Sequence, residues 1–359
     1  MTPTTLAALP VLAICVPTYN RASSLRNLFK SLAAVKARFG MAVEICISNN
    51  GSDDDTAAVI EEFNRHCEVN VSHQASNVGG TLNIIAVAQQ MRAGWGLWCG
   101  DDDELRPDAI AEILNCLGGL DPDTWLLVDV ADLEDRGQYM RYFRAGGHTA
   151  AEFRHAVLKS GLNPFGFMGV HVFPRSDVAL LKEMQIVDAQ PWPHMAALLR
   201  HITKAGGHVH VLPTVAIAQA KGGAKLFWSG GDLARIRLAK VRILRRAHMQ
   251  QVGHFVFLHL LMLRELYSLG SIKALMAWKL YEPDDFNRSA VKAYLGAYTW
   301  LGAILPLATP HTLLMLLLRA IPNGAYASLF RLIGQGQLLA RYQALKRELG
   351  VFDGIKRGI

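Results

Sequence analysis

The chain has 359 residues, enough to bury a full hydrophobic core and to hold one large domain with an extension. Residues 1–220 carry 17 Lys and Arg against 23 Asp and Glu, whereas residues 221–359 carry 20 against 7. This asymmetry in charge indicates that the two parts of the chain have different functions. The second part is basic and apolar, which favours binding to an anionic surface such as a membrane or phosphate groups. Nucleic acid is not expected as a partner.

The cysteines and the N-terminus indicate a cytosolic protein. All five cysteines lie in the first third of the chain without a C-x-x-C pair, so we expect reduced, buried thiols. The apolar N-terminal stretch has no Lys or Arg before Arg21. It therefore lacks the basic region of a signal peptide and predicts a first strand instead.

Apolar runs and helical spacing alternate along the first part of the chain. In chain order, the pattern predicts a strand at 11–16, a helix at 23–39, a strand at 42–47, a helix at 56–67, a strand at 69–73, a helix at 81–92 and a strand at 96–99. This alternation predicts an α/β domain with a largely parallel sheet. Ligands of such sheets bind at the carboxyl ends of the strands, where PTYNR, SNNGS and GDDD all lie.

The segment WCGDDDEL places three adjacent acids directly behind a nearly uncharged strand. These acids repel each other in the bare protein, which is tolerable if a divalent cation and a second anion share the site. Mg²⁺ and Mn²⁺ take oxygen ligands, typically one or two carboxylates and substrate phosphates. The alternative is an acidic cap of the helix that follows, although a cap needs only one acid.

The series ICVPTYNR, EICISNNGSDDDT, NVGG and GLWCGDDDELRPDAI resembles the family 2 glycosyltransferases over residues 11–215. A PTYNRA opening, a GDDD motif and a later Pro-His pair are most similar to the abequosyltransferase-like enzymes of O-antigen assembly. The resemblance implies a GT-A fold, which is Rossmann-like with a mostly parallel sheet. We expect this glycosyltransferase domain at 1–220 and a basic, apolar helical extension at 221–359.

The resemblance also implies a site for a nucleotide-diphospho-sugar donor. In the family, the P-T-Y-N turn lies against the base and ribose. At the position of Asn50, relatives commonly carry an acid that accepts the ring N–H of uracil. An amide at this position can face uracil, thymine or cytosine. The donor can therefore be a CDP-, UDP- or dTDP-sugar. Leu82 replaces an Arg that helps hold the diphosphate. The donor-binding residues implied are Pro17, Thr18, Tyr19, Asn20, Arg21, Asn50, Gly79, Asn83 and Asp101.

The family's acidic motif implies the metal site. Alignment with it makes Asp102 the principal ligand of Mn²⁺ or Mg²⁺, with Asp101 facing the ribose or supporting the metal and Asp103 supporting the site. A bound cation would stabilise the charge that grows on the departing nucleoside diphosphate.

The catalytic base departs from the family pattern. Inverting relatives carry a Glu-Asp pair followed by an Arg six residues after the Asp. Counting back from Arg200 gives His194, with Pro193 in place of the Glu. An imidazole can take the proton of the acceptor hydroxyl, although His194 could equally cap the helix or pack beside Trp192. Asp188 is the alternative base.

The second part of the chain predicts a membrane-associating region. The segment 221–232, KGGAKLFWSGGD, has the composition of a lid, or of a passive linker. A basic amphipathic helix follows at 232–249. The apolar run 255–263 is too short to span a bilayer, and 293–318 is long enough but broken by prolines. We expect helices that lie in the membrane interface, with a hairpin or a spanning segment as the alternative, and therefore peripheral association with the inner face of the plasma membrane; an oligomer is possible.

These observations predict an inverting, metal-dependent glycosyltransferase acting on a glycan or a polyprenyl-diphosphate-linked glycan. Two alternatives remain. A sugar nucleotidyltransferase would need a Gly-rich loop with Arg and Lys after the first strand, which PTYNRASS lacks. A non-catalytic nucleotide-sugar-binding subunit is favoured by the departures at Asn50, Leu82 and His194.

Overall fold

The computed structural model describes residues 9–131, 137, 139–183, 192–219, 240, 243–244, 252–267, 275–276, 278–280, 284, 286–288 and 316–332. The chain divides into two compact units, Met1–Lys225 and Leu226–Ile359. Several features that the sequence predicts lie outside the described residues. They are the domain boundary after residue 220, the segment 221–232, most of 232–249, most of 293–318, and Asp188.

Strands and helices alternate through the first unit, as the sequence predicts. The strands are β1 (Leu12–Thr18), β2 (Val43–Asn49), β3 (Asn70–His73), β4 (Trp95–Trp98), β5 (Asp103–Leu105), β6 (Thr124–Ala131), β7 (Gly146–Thr149), β8 (His171–Pro174) and β9 (His208–Gln219). The helices are α1 (Ala22–Phe39), α2 (Thr56–Asn64), α3 (Gly80–Gln89), α4 (Pro107–Leu117), α5 (Ala150–Ser160), α6 (Val178–Glu183) and α7 (Pro193–Thr203).

The strands form one sheet in the order β3-β2-β1-β4-β8-β6-β9-β5, with β7 paired to β9. β3, β2, β1 and β4 are parallel throughout. β8 runs antiparallel to both of its neighbours, and β6 and β9 are parallel to each other. The parallel half therefore brings the ends of β1, β2, β3 and β4 to one edge of the sheet.

The core explains why the predicted strands and helices form. Residues 12–16 of β1 are fully buried, as expected for an interior parallel strand with an unbroken apolar sequence. Leu25, Leu28 and Leu32 recur at helical spacing in α1 and are fully buried. The rings of Trp98 and Phe173 stack at a centroid distance of 3.8 Å where β4 meets β8.

The structure confirms all the predicted strands and helices of the first part of the chain to within a few residues. It also adds β5, which the sequence did not predict, directly within the acidic run. β5 pairs with the end of β9, and Arg106 occupies the N-cap position of α4 without a side-chain cap. The alternative interpretation of the three acids as a helix cap is therefore wrong.

The second unit is helical in its described part. It contains α8 (Phe255–Tyr267) and α9 (Asn323–Leu332). None of the helices in the described ranges is both long enough and apolar enough to cross a bilayer. The five cysteines all lie in the first unit and are free; Cys15, Cys46 and Cys99 are buried, as predicted, whereas Cys67 and Cys116 are partly exposed.

Candidate active site

The PTYN turn and the loop after β2 hold each other at the carboxyl edge of the sheet. Asn20 donates its backbone N–H to Ser52 Oγ over 3.0 Å, and its Oδ1 accepts the backbone N–H of Asp53 over 3.0 Å. Asn20 has a φ of 52°, a left-handed conformation that Asn tolerates better than most residues. The adjacent Tyr19 is left 39% exposed, so its side chain is available to a ligand at this edge.

Asn50 is buried and its side-chain amide holds the loop that precedes α3. Nδ2 donates to Asn77 Oδ1 over 2.9 Å, and Oδ1 accepts the backbone N–H of Val78 over 2.9 Å. The N–H of Gly79 donates to the same Asn77 oxygen over 2.8 Å. These two backbone donors fix which atom of each amide is the oxygen. The Asn50 side chain therefore stabilises the loop before α3, and its contact with a nucleotide base stays a prediction.

The neighbouring Gly51 explains how this loop can approach so closely. Its φ is +67°, and a Cβ at this position would lie 2.6 Å from the carbonyl carbon of Ser76. Only glycine fits both the backbone conformation and the space.

Asn83, in α3, is also buried and fully engaged. Its Nδ2 donates to the backbone oxygens of Thr18 and Ser48 over 3.3 and 3.1 Å, and its Oδ1 accepts the hydroxyl of Ser48 over 2.7 Å. Asn83 therefore fixes α3 against the ends of β1 and β2. Gly79, by contrast, is only partly buried, with open space where a side chain would stand.

The three acids of the GDDD turn have different environments. Asp101 Oδ2 accepts the hydroxyl of Thr18 over 2.8 Å, and Asp103 Oδ2 accepts the backbone N–H of Gly100 over 3.2 Å. Asp102 is partly exposed, and its carboxylate has no hydrogen-bond partner in the described part of the chain. Asp102 is therefore the carboxylate most available to a cation.

Burial and mutual repulsion perturb the two flanking carboxyls. Burial raises the pKa of Asp101 to about 6; the hydrogen bond from Thr18 and the charge of Arg21 oppose this shift, and the charge of Asp102 adds to it. Burial, with the charge of Asp102, raises the pKa of Asp103 to about 7. A cation bound here would relieve this repulsion, which is the electrostatic condition expected of a metal site.

The acidic turn is not a complete metal cage by itself. Within the described ranges, no group of three or more His, Cys, Asp or Glu side chains is arranged to hold an ion. This arrangement fits a cation such as Mg²⁺ or Mn²⁺, which is commonly held by one or two carboxylates while substrate phosphates complete its ligands.

The structure places His194 inside the protein, next to Trp98 of β4. The residue is 2% exposed, and its Nε2 donates to the backbone oxygen of Gly166 over 3.2 Å. The His194 ring centroid lies 6.2 Å from that of Trp98 and 5.0 Å from that of His171. Burial lowers the pKa of His194 to about 4. In this conformation the imidazole cannot touch a sugar acceptor.

Sequence reasoning missed several contacts that build the site. The bond between Thr18 and Asp101 joins two predicted motifs, but motif spacing does not reveal it. Asn49 Nδ2 lies 3.2 Å from His73 Nδ1, which ties the ends of β2 and β3 together. The role of Asn77 could have been found, since an Asn two residues before a Gly commonly accepts that residue's N–H in a turn.

Comparison with known proteins identifies the domain. The profile of the family described as Glycosyl transferase family 2 matches residues 13–177. These residues form a family 2 glycosyltransferase domain. The match includes the PTYN turn, the loop after β2, α3 and the acidic turn. The match confirms the predicted family for this domain.

One curated relative shares part of the glycosyltransferase domain. The chain is 29% identical over 103 residues to abequosyltransferase RfbV of Salmonella typhimurium. The aligned segment covers 28% of this chain and 31% of the relative. The aligned segment thus spans less than a third of that enzyme.

Solved structures confirm the fold of the glycosyltransferase domain as GT-A. TarS 1-349 of S. aureus matches with a TM-score of 0.59 and 16% identity, over 91% of this chain and 92% of that chain. It has also been crystallised with UDP and with UDP-GlcNAc. Mannosyltransferase PcManGT from Pyrobaculum calidifontis, in complex with GDP-Man and Mn²⁺, matches with a TM-score of 0.51 and 14% identity, over 91% and 88% of the two chains.

Proposed function

We propose that this protein is a metal-dependent glycosyltransferase. It moves one sugar from a nucleotide-diphosphate donor to a glycan, or to a glycan carried on a polyprenyl diphosphate, in the assembly of a surface polysaccharide. The observation that carries this proposal is the free carboxylate of Asp102. It stands at the carboxyl edge of a family 2 domain, between two acids that are already hydrogen-bonded within the protein.

Asp102 would hold Mn²⁺ or Mg²⁺ directly, with Asp101 and Asp103 supporting the site. When bound, the cation neutralises charge on the diphosphate of the leaving group. Thr18 keeps the Asp101 carboxylate oriented through its hydrogen bond, and Arg21 adds a positive charge that favours the ionised acid. The Mn²⁺ in the PcManGT structure supports a divalent cation for this fold.

The donor would lie along the PTYN turn. The exposed ring of Tyr19 is available to stack on a base, and Asn20 holds the turn against the loop after β2. Arg21 is the basic residue of this turn, and we assign to it the diphosphate contact that Leu82 does not supply. UDP-GlcNAc with TarS and GDP-Man with PcManGT support a nucleotide sugar as the donor. The base stays open between cytosine, uracil and thymine, because the Asn50 amide keeps a second N–H and a second oxygen lone pair beside its bonds to Asn77 and Val78.

For the catalytic base of an inverting displacement we favour Asp188, because the environment of His194 argues against an imidazole as the base. Burial, the hydrogen bond to Gly166 and the contact with Trp98 give His194 the environment of a core residue. Asp188 precedes α7, whose first residues are Pro193 and His194. A carboxylate there would accept the proton of the acceptor hydroxyl as it attacks the anomeric carbon.

A peripheral location at the inner face of the plasma membrane would bring the active site to a lipid-linked acceptor. The basic composition of residues 221–359 supports this location. The resemblance to an abequosyltransferase supports an acceptor of the O-antigen type.

The proposal is tested by metal-dependent hydrolysis of nucleotide sugars, and by transfer once an acceptor is known. Asp102→Asn should lower turnover roughly a hundredfold. Asp53→Asn is the matched control, because it removes one exposed carboxylate from the same edge of the sheet, and it should retain the wild-type rate.

The rival function is a subunit that only binds the nucleotide sugar, which the buried His194 and the engaged amide of Asn50 favour. Binding of the nucleotide sugar by wild type without any turnover would support this subunit, whereas equal turnover by wild type and Asp102→Asn would exclude Asp102 as the metal ligand.

A further inference from the structure

Helix α8 presents an apolar stripe to solvent. Val256 is 68% exposed and Leu260 is 47% exposed. Arg264 is exposed one further turn along the helix. Residues four apart lie on the same face of a helix, so these three side chains form a continuous row. The opposite side of α8 is buried through Leu258 and Leu261. We call the row Val256, Leu260 and Arg264 the outer face of α8.

The second unit has further exposed apolar side chains at Leu316 and Leu317, with Arg319 exposed beside them. Among the residues that the structure describes, nine large hydrophobic side chains are exposed, and four of them belong to this unit, which supplies only a minority of those residues. Single exposed apolar residues are ordinary, whereas aligned and repeated ones mark an interaction surface.

The exposed arginines next to these apolar side chains have no competing protein partner in the described part of the second unit. Among the residues that the structure describes, neither Arg264 nor Arg319 makes an ion pair or a side-chain hydrogen bond. Both guanidinium groups are therefore available to anionic groups outside the protein.

The net charge of residues 221–359 favours an anionic bilayer over a second copy of the chain as the partner of the outer face of α8. Residues 221–359 carry 20 Lys and Arg against 7 Asp and Glu, so two copies that met through this region would repel each other. A bilayer with anionic headgroups accepts both features, because apolar side chains enter the boundary with the acyl chains while guanidinium groups meet the phosphates. Helix α8 has 13 residues, which suits a helix that lies on a bilayer rather than one that crosses it.

We propose that the outer face of α8 lies on an anionic lipid bilayer, with Val256 and Leu260 entering the interface and Arg264 contacting lipid phosphates. This inference rests on the peripheral location given under Proposed function, and it specifies which surface makes the contact. It predicts binding to anionic lipid whether or not the protein transfers sugar.

The experiment measures binding of the full-length protein to vesicles of phosphatidylcholine, with and without phosphatidylglycerol, by flotation. Wild type should bind the anionic vesicles more strongly. The double variant Val256→Asn with Leu260→Asn should lower the partition coefficient about tenfold or more. Arg264→Gln should lower it about fivefold at low salt, and less at high salt.

Met41→Asn is the matched control. Met41 is 66% exposed on the first unit, so the substitution removes a comparable exposed apolar side chain, and binding should remain at the wild-type level. Circular dichroism and the melting temperature show whether each variant is folded.

Equal binding of wild type and a folded double variant to anionic vesicles would overturn the inference. A double variant that keeps its vesicle binding but changes a wild-type dimer into a monomer would assign the outer face to a second copy instead. Hydrolysis of the donor in solution separates the two proposals: vesicle binding that depends on the outer face, together with a wild type that hydrolyses no donor, would leave this inference standing and remove the transferase.

Discussion

Thr18 donates a hydrogen bond of 2.8 Å to the carboxylate of Asp101, and this contact joins the end of β1 to the turn that follows β4. The two strands are parallel neighbours, so the PTYN turn and the acidic turn meet at one edge of the sheet. Because Thr18 holds Asp101 and the turn itself holds Asp103, Asp102 remains free for a cation. Which of the three carboxylates is free for a cation therefore depends on the hydroxyl of Thr18, a neutral group in a different motif.

Replacing Thr18 by Val should make activity more sensitive to acid. The hydrogen bond from Thr18 opposes the rise in the pKa of Asp101, which is already about 6. A hydrogen bond to a charged group contributes roughly 1.5 to 3 kcal/mol, so the acidic limb of the rate profile should move up by about one pH unit or more. Thr18→Ser keeps the hydroxyl and should keep the wild-type profile, whereas identical profiles for Thr18→Val and wild type would exclude this role.

Asp103→Asn should stabilise the metal-free protein above neutral pH. The pKa of Asp103 is about 7 in the folded protein, against about 4 for an unperturbed Asp. A raised carboxyl pKa means that the folded state binds the proton more tightly, so wild type loses stability as the pH rises from about 4 through about 7. At pH values above this range the variant should be more stable by roughly 2 kcal/mol, because it retains an oxygen for Gly100 without the charge.

Thermal melts in a chelating buffer, at acidic and at alkaline pH, measure this difference. Adding Mn²⁺ should raise the melting temperature of wild type more at alkaline pH, where the acids are ionised. If the variant were less stable than wild type at alkaline pH, the buried charge of Asp103 would not be the main effect of this residue on the free energy of unfolding.

The two candidate bases predict opposite results. Asp188→Asn should lower turnover roughly a thousandfold. His194→Gln retains an N–H donor for Gly166 and should keep turnover within about threefold. The reverse ranking, with both variants folded, would make His194 the base and would require it to leave the buried position that it has here.

Asn50→Asp should destabilise the loop before α3. The substitution places a carboxylate oxygen opposite Asn77 Oδ1, whose orientation is fixed by the N–H of Gly79. Loss of this hydrogen bond, with two oxygens facing each other, should lower the free energy of unfolding by roughly 1 to 3 kcal/mol. Denaturant melts measure the change, and Asn77→Ser in the same background should restore part of it by supplying a hydroxyl donor. An unchanged stability would mean that the loop rearranges freely and that position 50 is available to read the base.

The sequence predicts the parallel half of the fold well because its signals are local. Apolar runs and helical spacing suffice to locate β1 to β4 and α1 to α3, and the carboxyl ends of parallel strands must meet at one edge. β5 could not be predicted in this way, since Asp103–Leu105 is a strand only because it pairs with the distant end of β9.

The same limit applies to the site. Spacing correctly places His194 at the start of α7, but the direction of its side chain is set by contacts with Trp98, His171 and Gly166. Likewise, the type of residue at position 50 indicates what an amide can recognise, whereas the conformation of a separate loop determines which of its atoms are already occupied.

The most direct test of the account is the anomalous scattering of manganese in crystals grown with Mn²⁺ and a nucleoside diphosphate. We expect one strong peak between Asp102 and the diphosphate, at about 2 to 2.3 Å from a carboxylate oxygen of Asp102, and no such peak in Asp102→Asn. A nucleotide bound at the PTYN turn without manganese beside the acidic turn would contradict it.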